Sequence, residues 1–280
     1  MGHQNARFYF TQALEGLAEV GAWLGVENGF ARDAERKLLI TNQHSRFLKE
    51  ALDSRPLYMR AWIVGRGEHD AEVVQILYHV HSDDRAAIFF TRMLCVDQAG
   101  DPACWPVAID PRAAEDAVFA RGLMPGDSPL DSASEATRAG VISSGRGLVL
   151  TNECDAVGRM RVDAIVGRVS DAMHLVMALC EEDARLAGLD PTASAALECR
   201  LAYHRFPAAG TRFCVRSGIL GMTDKTRRIM SWMIDPATGE LLATLESIEI
   251  AFDLKERRAT IWSAPTHAVA LSMVLDGAPI

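Results

Sequence analysis

Between Phe8 and Leu24, apolar or small residues fall at Phe10, Leu14, Leu17, Gly21 and Leu24, a 4-3-4-3 spacing that lines one face of a helix. Arg7, Glu15 and Glu19 are the only charges between Arg7 and Val26, so this helix is predicted to be wrapped on most sides by apolar surface, as a curled sheet would provide. The same spacing returns at Ile165, Val169, Ala172, Val176 and Leu179 and predicts a second helix over 165–186. Strand-like runs rich in Val, Ile, Phe, Tyr and Trp follow the first helix at 38–48, 57–65, 72–81 and 86–96. Another set follows the second helix at 195–206, 212–220, 227–234 and 241–252, and one more strand is expected at 141–153. Short turns such as Ser82-Asp83-Asp84-Arg85 predict antiparallel meanders, so the class is α+β.

Between Asp97 and Gly140 the pattern breaks, with five prolines and a Ser/Asp/Ala-rich stretch. It predicts a connection holding one short helix near Arg112 to Arg121. The order of elements before it repeats after it. Gly2 and Gly158 differ by 156, as do Arg60 and Arg216, Ile63 and Ile219, Gly65 and Gly221, Ala87 and Ala243, and Asp97 and Asp253. One shift holding from a helix start to the end of the last strand predicts two copies of one module: a first repeat over 1–118, a linker over 119–140 and a second repeat over 141–280.

Composition narrows the function. In 280 residues, 29 Lys and Arg face 37 Asp and Glu, and the net charge of −8 argues against nucleic acid or an anionic membrane as partner. The six cysteines show no C-x-x-C spacing and predict thiols in a reducing cytoplasm rather than disulfides or a zinc site. No apolar run reaches the roughly 18–20 residues of a membrane span, and the first residues lack signal-peptide character, so a cytoplasmic protein is expected.

Two helix starts carry the candidate chemistry: Gly2-His3-Gln4-Asn5 with Tyr9 one turn further on, and Asp155-Ala156-Val157-Gly158. Together with the closing phrase Thr238-Gly239-Glu240-Leu241-Leu242-Ala243 through Asp253, Arg257 and Arg258, they resemble the hotdog superfamily, in its 4-hydroxybenzoyl-CoA thioesterase type. The resemblance spans nearly the whole chain outside the linker and implies a double hotdog, each repeat a long central helix wrapped by an antiparallel sheet. That family places an Asp at the end of its first strand, three residues before the glycine of D-x-x-G, often continued as G-H-x-N, with an aromatic one turn into the helix. The first copy begins at Gly2, so its acid position and first strand would fall before Met1; the second keeps Asp155 and Gly158 but has Arg159 and Arg161 where the first has His3 and Asn5.

The resemblance implies acyl-CoA thioester hydrolysis without a cofactor or metal. Such hydrolysis needs a base or carboxylate nucleophile and donors for the oxyanion. Asp155 is the candidate base or nucleophile; amides beyond Gly158, near Val162, would polarise the carbonyl. In the first copy the matching amides lie near Ala6, with His3 and Asn5 as side-chain donors and Gly2 and Tyr9 lining the entrance. Plainer roles stand beside these: Asp155 as a turn or cap residue, Tyr9 as core, Glu50 as a solvated carboxylate instead of a contributor to the first site. His79 and His81 would share a strand face, with no third metal ligand identifiable. Lys225, Arg227 and Arg228, expected in one loop, or Arg257 and Arg258, are candidates for the phosphates of coenzyme A.

Other hydrolytic and nucleotide-binding classes find no support. There is no G-x-S-x-G, Gly145-Arg146-Gly147 leads into a strand rather than a helix, and Cys154 has no His placed near it. A non-catalytic acyl-CoA or acyl-ligand binding protein is the alternative; a hotdog dehydratase lacks its paired Asp and His. Two hotdog modules in one chain would mimic a homodimer, and pairing of their outer sheet faces predicts a homo-oligomer, a dimer of double hotdogs or larger.

Overall fold

The structure is a computed structural model that describes residues 6–51, 55–114, 122–123, 128–155, 158–188, 193–253 and 255–277. The chain forms two compact units: residues 1–125, 149–166 and 206–210 in the first, and 126–148, 167–205 and 211–280 in the second.

In the first unit, α1 (Ala6–Trp23) precedes β1 (Arg36–Phe47), β2 (Leu57–Arg66), β3 (Asp70–His79) and β4 (Arg85–Asp97). The strands are antiparallel in the order β2-β3-β4-β1, so the expected meander is corrected: β1 pairs with β4, not with β2. The connection from Leu48 to Pro56 is longer than the roughly 2–5 residues of a hairpin loop, and that length lets the chain cross to the other edge. The helix buries Phe10, Ala13, Leu17 and Val20, and Leu24 just after it is buried as well. Phe10 meets Phe89 edge-on, with centroids 5.3 Å apart, and the Gln75 amide donates to the Ala13 carbonyl at 2.8 Å. A β-carbon at Gly16 would lie 2.3 Å from the Met59 sulfur, so this glycine permits the close approach of helix and sheet. The wrapping is less complete than predicted, because Phe8, Glu15, Ala18, Glu19 and Trp23 remain exposed.

α2 (Val162–Leu186) begins among the residues of the first unit and continues in the second. The second unit also holds β5 (Ile142–Leu148), β6 (Ala193–Tyr203), β7 (Arg212–Met222), β8 (Thr226–Ile234), β9 (Leu241–Asp253), β10 (Arg258–Ala259) and α3 (Ala264–Ser272). Its strand order is β6-β9-β8-β7-β5, with β10 on β9. Sequence periodicity missed α3, although Ser263 caps it by accepting the Thr266 N–H and Pro265 stands in its first turn. Residues 115–121 of the short helix expected near 112–121 lie outside the described residues.

The shift of 156 recurs in the elements themselves: α1 and α2 start at 6 and 162, β3 and β8 at 70 and 226, and β4 and β9 run over 85–97 and 241–253. It recurs in the irregularities too. Register breaks at Ile40/Asn42 and Ala196/Glu198, at Ile63/Gly65 and Ile219/Gly221, and at Leu77/Tyr78 and Met233/Ile234. A bulge bends its strand and re-aims side chains, and these three fall at matching positions in the two sets of strands. No helix among the described residues is long and apolar enough to cross a membrane.

Candidate functional site

Gly2, His3 and Asn5 lie outside the described residues. Ala6 and Val162 are the first residues of α1 and α2. Tyr9 is buried against Phe47, and its hydroxyl accepts the Ala51 N–H at 2.8 Å. Burial raises its phenol pKa above the ordinary value, with that hydrogen bond as a smaller opposing effect. These are the contacts of a core residue. Glu50 stands in the connection after β1 rather than on a strand.

Asp155 and Gly158 meet in one tight loop ahead of α2. Cys154 and Met160 form an isolated antiparallel bridge, the Asp155 N–H donates to the Arg159 carbonyl at 2.7 Å, and the Gly158 N–H donates to the Asp155 carbonyl at 3.0 Å. Gly158 adopts φ +83°, a left-handed conformation that glycine takes without cost, and a β-carbon there would touch nothing within 4 Å. The half-buried Asp155 carboxylate accepts the Arg159 N–H at 2.9 Å, and the Arg159 guanidinium stands 3.5 Å from its other oxygen. Arg159 also covers the Phe206 ring, its Cζ 5.6 Å from the centroid, and Met160 bonds to the Pro207 carbonyl at 2.9 Å. The loop is thereby held against residues 206–210 of the same unit.

Where the loop enters α2, Ala164 and Ile165 both donate to the Arg161 carbonyl at 3.1 Å. The N–H groups of Val162 and Asp163 precede these donors and have no intrahelical acceptor, which is the general condition of a helix start and the source of its positive end. Sequence reasoning missed the carboxylate beside them. Asp163 is 2% exposed and takes two bonds from Arg161, 2.9 Å from Nε and 3.2 Å from Nη2, with the Thr11 hydroxyl at 3.3 Å. Arg161 also ties the loop to the carbonyls of Asn152 and Cys154, each at 3.1 Å. Arg161 thus clamps loop to helix.

Cys154 does not supply an activated thiolate. Its thiol donates to the Leu150 carbonyl at 3.4 Å, and burial, followed by the charges of Asp155 and Glu153, raises its pKa. The histidine pair is corrected as well: β3 ends at buried His79, and exposed His81 lies in the following turn, so the two do not share a strand face.

In the second unit, the expectation of a phosphate-binding loop is also corrected. β8 begins at Thr226, so Arg227 and Arg228 are strand residues. Arg227 is fully buried, donates to Glu249 at 2.9 Å and packs over Trp262, while Ser194 donates to the same Glu249 oxygen at 2.7 Å. Arg228 and Arg200 both bond to Glu246, the latter at 2.7 Å. A shift of 156 takes Arg227, Glu249, Arg200 and Glu246 to Ala71, Met93, His44 and Phe90 of the first unit. The charged network therefore belongs to the second set of strands alone.

Residues 149–269 match the model of the Thioesterase-like superfamily. No sequence among the curated proteins matches the chain. Among solved structures, a Lactobacillus plantarum protein named as an oleoyl thioesterase is similar over 90% of this chain and 91% of its own, with a TM-score of 0.66 and 7% identity. An acyl-ACP thioesterase from Bacteroides thetaiotaomicron is similar over 89% and 90%, with a TM-score of 0.60 and 7% identity. The 12:0-ACP thioesterase of Umbellularia californica is similar over 88% and 89%, with a TM-score of 0.56 and 9% identity. At these identities the likeness is one of fold. The superfamily match and the fold support a thioester hydrolase.

Proposed function

We propose that the chain is an acyl-CoA thioesterase built from two hotdog repeats, residues 1–118 and 141–280 joined by a linker, and acting as a cytoplasmic homo-oligomer. The observation that carries this reading is a coincidence of place: the superfamily match opens at residue 149, on the segment that sets Asp155 and Gly158 immediately ahead of α2. In the proposed reaction Asp155 removes a proton from water as it attacks the thioester carbonyl carbon, and the negative charge moves to the carbonyl oxygen. The N–H groups near Val162, at the positive end of α2, stabilise that oxyanion. Collapse of the tetrahedral intermediate breaks the carbon–sulfur bond, and the departing thiolate takes up the proton. Gly158 leaves room beside the backbone for the thioester, and Gly2, His3, Asn5 and Ala6 provide the corresponding start in the first repeat.

A second reading is non-catalytic binding of an acyl-CoA or another acyl ligand. What favours it is the engagement of Asp155 by both the amide and the guanidinium of Arg159. Thiol release from acyl-CoA and acyl-ACP substrates, by the wild type and by Asp155→Asn, separates the readings. Loss of about a hundredfold or more in turnover by a folded variant supports Asp155 as base. Unchanged turnover removes it from the mechanism, ligand binding without release by the wild type favours the second reading, and turnover confined to acyl-ACP replaces coenzyme A as the carrier.

A further inference from the structure

The turn joining β2 to β3 carries Glu68 and His69, and the segment that returns after β4 carries Cys104. One donor atom from each, a carboxylate oxygen, an imidazole nitrogen and the thiol sulfur, lies within 4.8 Å of the other two. Cys104 Sγ is 3.2 Å from Glu68 Oε1, and His69 Nε2 is 3.8 Å from Glu68 Oε2. With zinc–sulfur bonds of about 2.3 Å and zinc–nitrogen or zinc–oxygen bonds of about 2.0–2.1 Å, donors around one tetrahedral ion stand roughly 3.3–3.8 Å apart. The two separations, one to each Glu68 oxygen, lie close to that range, and small side-chain adjustments would bring all three donors onto one ion.

The backbone holds them there. The Cys95 N–H donates to the His69 carbonyl at 2.7 Å, the Trp105 N–H to the Glu68 carbonyl at 3.3 Å, and the Ala103 N–H to the Cys95 carbonyl at 2.9 Å. Each candidate ligand is thus pinned directly or through its chain neighbours. Gly67 completes the turn: a β-carbon there would lie 2.2 Å from Asp70 Oδ1. His69 Nδ1 is buried and has no hydrogen-bond partner among the described residues, so hydrogen bonding does not account for the imidazole.

The second unit provides an internal control. Its corresponding segments are tied the same way, the Trp262 N–H to the Asp224 carbonyl and the Thr260 N–H to the Ala251 carbonyl, each at 2.9 Å. There the side chains are Asp224, Lys225 and Ile261, which cannot form such a donor set. The backbone arrangement therefore does not require Glu, His and Cys; the first unit adds them to a scaffold that stands without them.

We propose that Glu68, His69 and Cys104 form a binding site for a zinc-class divalent ion, with water in the fourth position. The thiolate, imidazole and carboxylate set selects zinc or cobalt(II) over magnesium or calcium, which prefer oxygen alone. Binding displaces the thiol proton to solvent and ties the return segment after β4 to the β2–β3 turn. This site is independent of the proposed hydrolysis.

The test is titration of the reduced full-length protein with cobalt(II). The expected result is one equivalent bound with a thiolate-to-cobalt charge-transfer band, and displacement by zinc. Cys104→Ser abolishes the band, His69→Ala weakens binding at least about tenfold, and Cys154→Ser and Cys214→Ser, at the other partly exposed thiols, leave both unchanged. Thermal unfolding gives a second readout: zinc raises the wild-type midpoint and does not raise that of Glu68→Gln. Absence of the band in the wild type, or its persistence in folded Cys104→Ser, overturns the proposal.

Discussion

Arg7 and Asp163 stand 156 positions apart, at matching places in the two helix starts, and they meet within one compact unit with Arg7 Nε 3.7 Å from Asp163 Oδ2. The pair is unequal. The Arg7 side chain is 44% exposed and that of Asp163 is 3% exposed, so solvent screens the arginine and the contact contributes about 0–1 kcal/mol. The buried carboxylate depends instead on the two bonds from Arg161.

That asymmetry gives a directional prediction. Arg161→Gln leaves Asp163 buried with, among the described residues, only the Thr11 hydroxyl and screened Arg7, and a buried charge deprived of its partner costs about 3–5 kcal/mol. Asp163→Asn leaves an arginine that still reaches solvent and the Asn152 and Cys154 carbonyls, so its cost is nearer about 1–3 kcal/mol. Urea denaturation of both variants checks the order; equal losses would overturn the asymmetry, and losses near zero in both would show that the loop does not rely on this clamp.

The Arg227–Glu249 pair in the second unit yields the opposite lesson. Arg227 is fully buried, and its Nε and Nη1 have no hydrogen-bond partner among the described residues. Arg227→Met leaves Glu249 with, among the described residues, only the Ser194 hydroxyl, and a loss of about 3–5 kcal/mol is expected. Replacing both charges, Arg227→Met with Glu249→Met, is expected to recover most of that loss, because the matching positions of the first unit, Ala71 and Met93, are apolar and buried. A double-mutant cycle measured by denaturation decides; a double variant no better than the single one would mean that the network is needed for packing as well as charge.

Helix periodicity and strand composition made both α–β–β–β–β runs legible, because a 4-3-4-3 apolar line and β-branched runs report directly which face is buried. The spacing of 156 was legible as well: the identities Ile63/Ile219 and Gly65/Gly221 each fall on a register break. Strand order was not. Nothing local in Leu48 to Pro56 says that β1 must pair with β4; that is a property of how the strands assemble. The site was half legible: Asp155 and Gly158 announce a turn, whereas the Arg161–Asp163 clamp depends on side-chain direction at a helix entry. Arg227 defeats sequence reading most completely: the strand over 227–234 is legible, but nothing local says that its first arginine is buried against a carboxylate 22 residues on.

Gly158→Ala separates backbone strain from substrate contact. With φ at +83° and nothing within 4 Å of the new methyl group, the loss of stability should come from the left-handed backbone alone, about 1–2 kcal/mol. If a thioester must pass close to this backbone, kcat/KM falls well beyond what partial unfolding explains. Measuring denaturation and turnover on the same sample distinguishes the two, and a proportionate loss in both would leave Gly158 a turn residue only.

Glu181 on α2 makes stability depend on pH in a direction opposite to that of most acids. Burial raises its carboxyl pKa above the ordinary value, outweighing the attraction of Arg227, and Glu249 adds repulsion. Between the unfolded and the raised folded pKa, the native state holds a proton that the unfolded state has lost. Stability from this group is therefore fully present below the ordinary glutamate pKa and is lost as pH rises through the folded value. Glu181→Gln keeps the neutral shape at every pH. The variant should match the wild type in acid and exceed it at neutral pH, with a flatter stability profile across that window. Denaturation midpoints from acid to neutral pH provide the check, and a variant less stable than the wild type at neutral pH would show that the Glu181–Arg227 attraction outweighs the cost of burial.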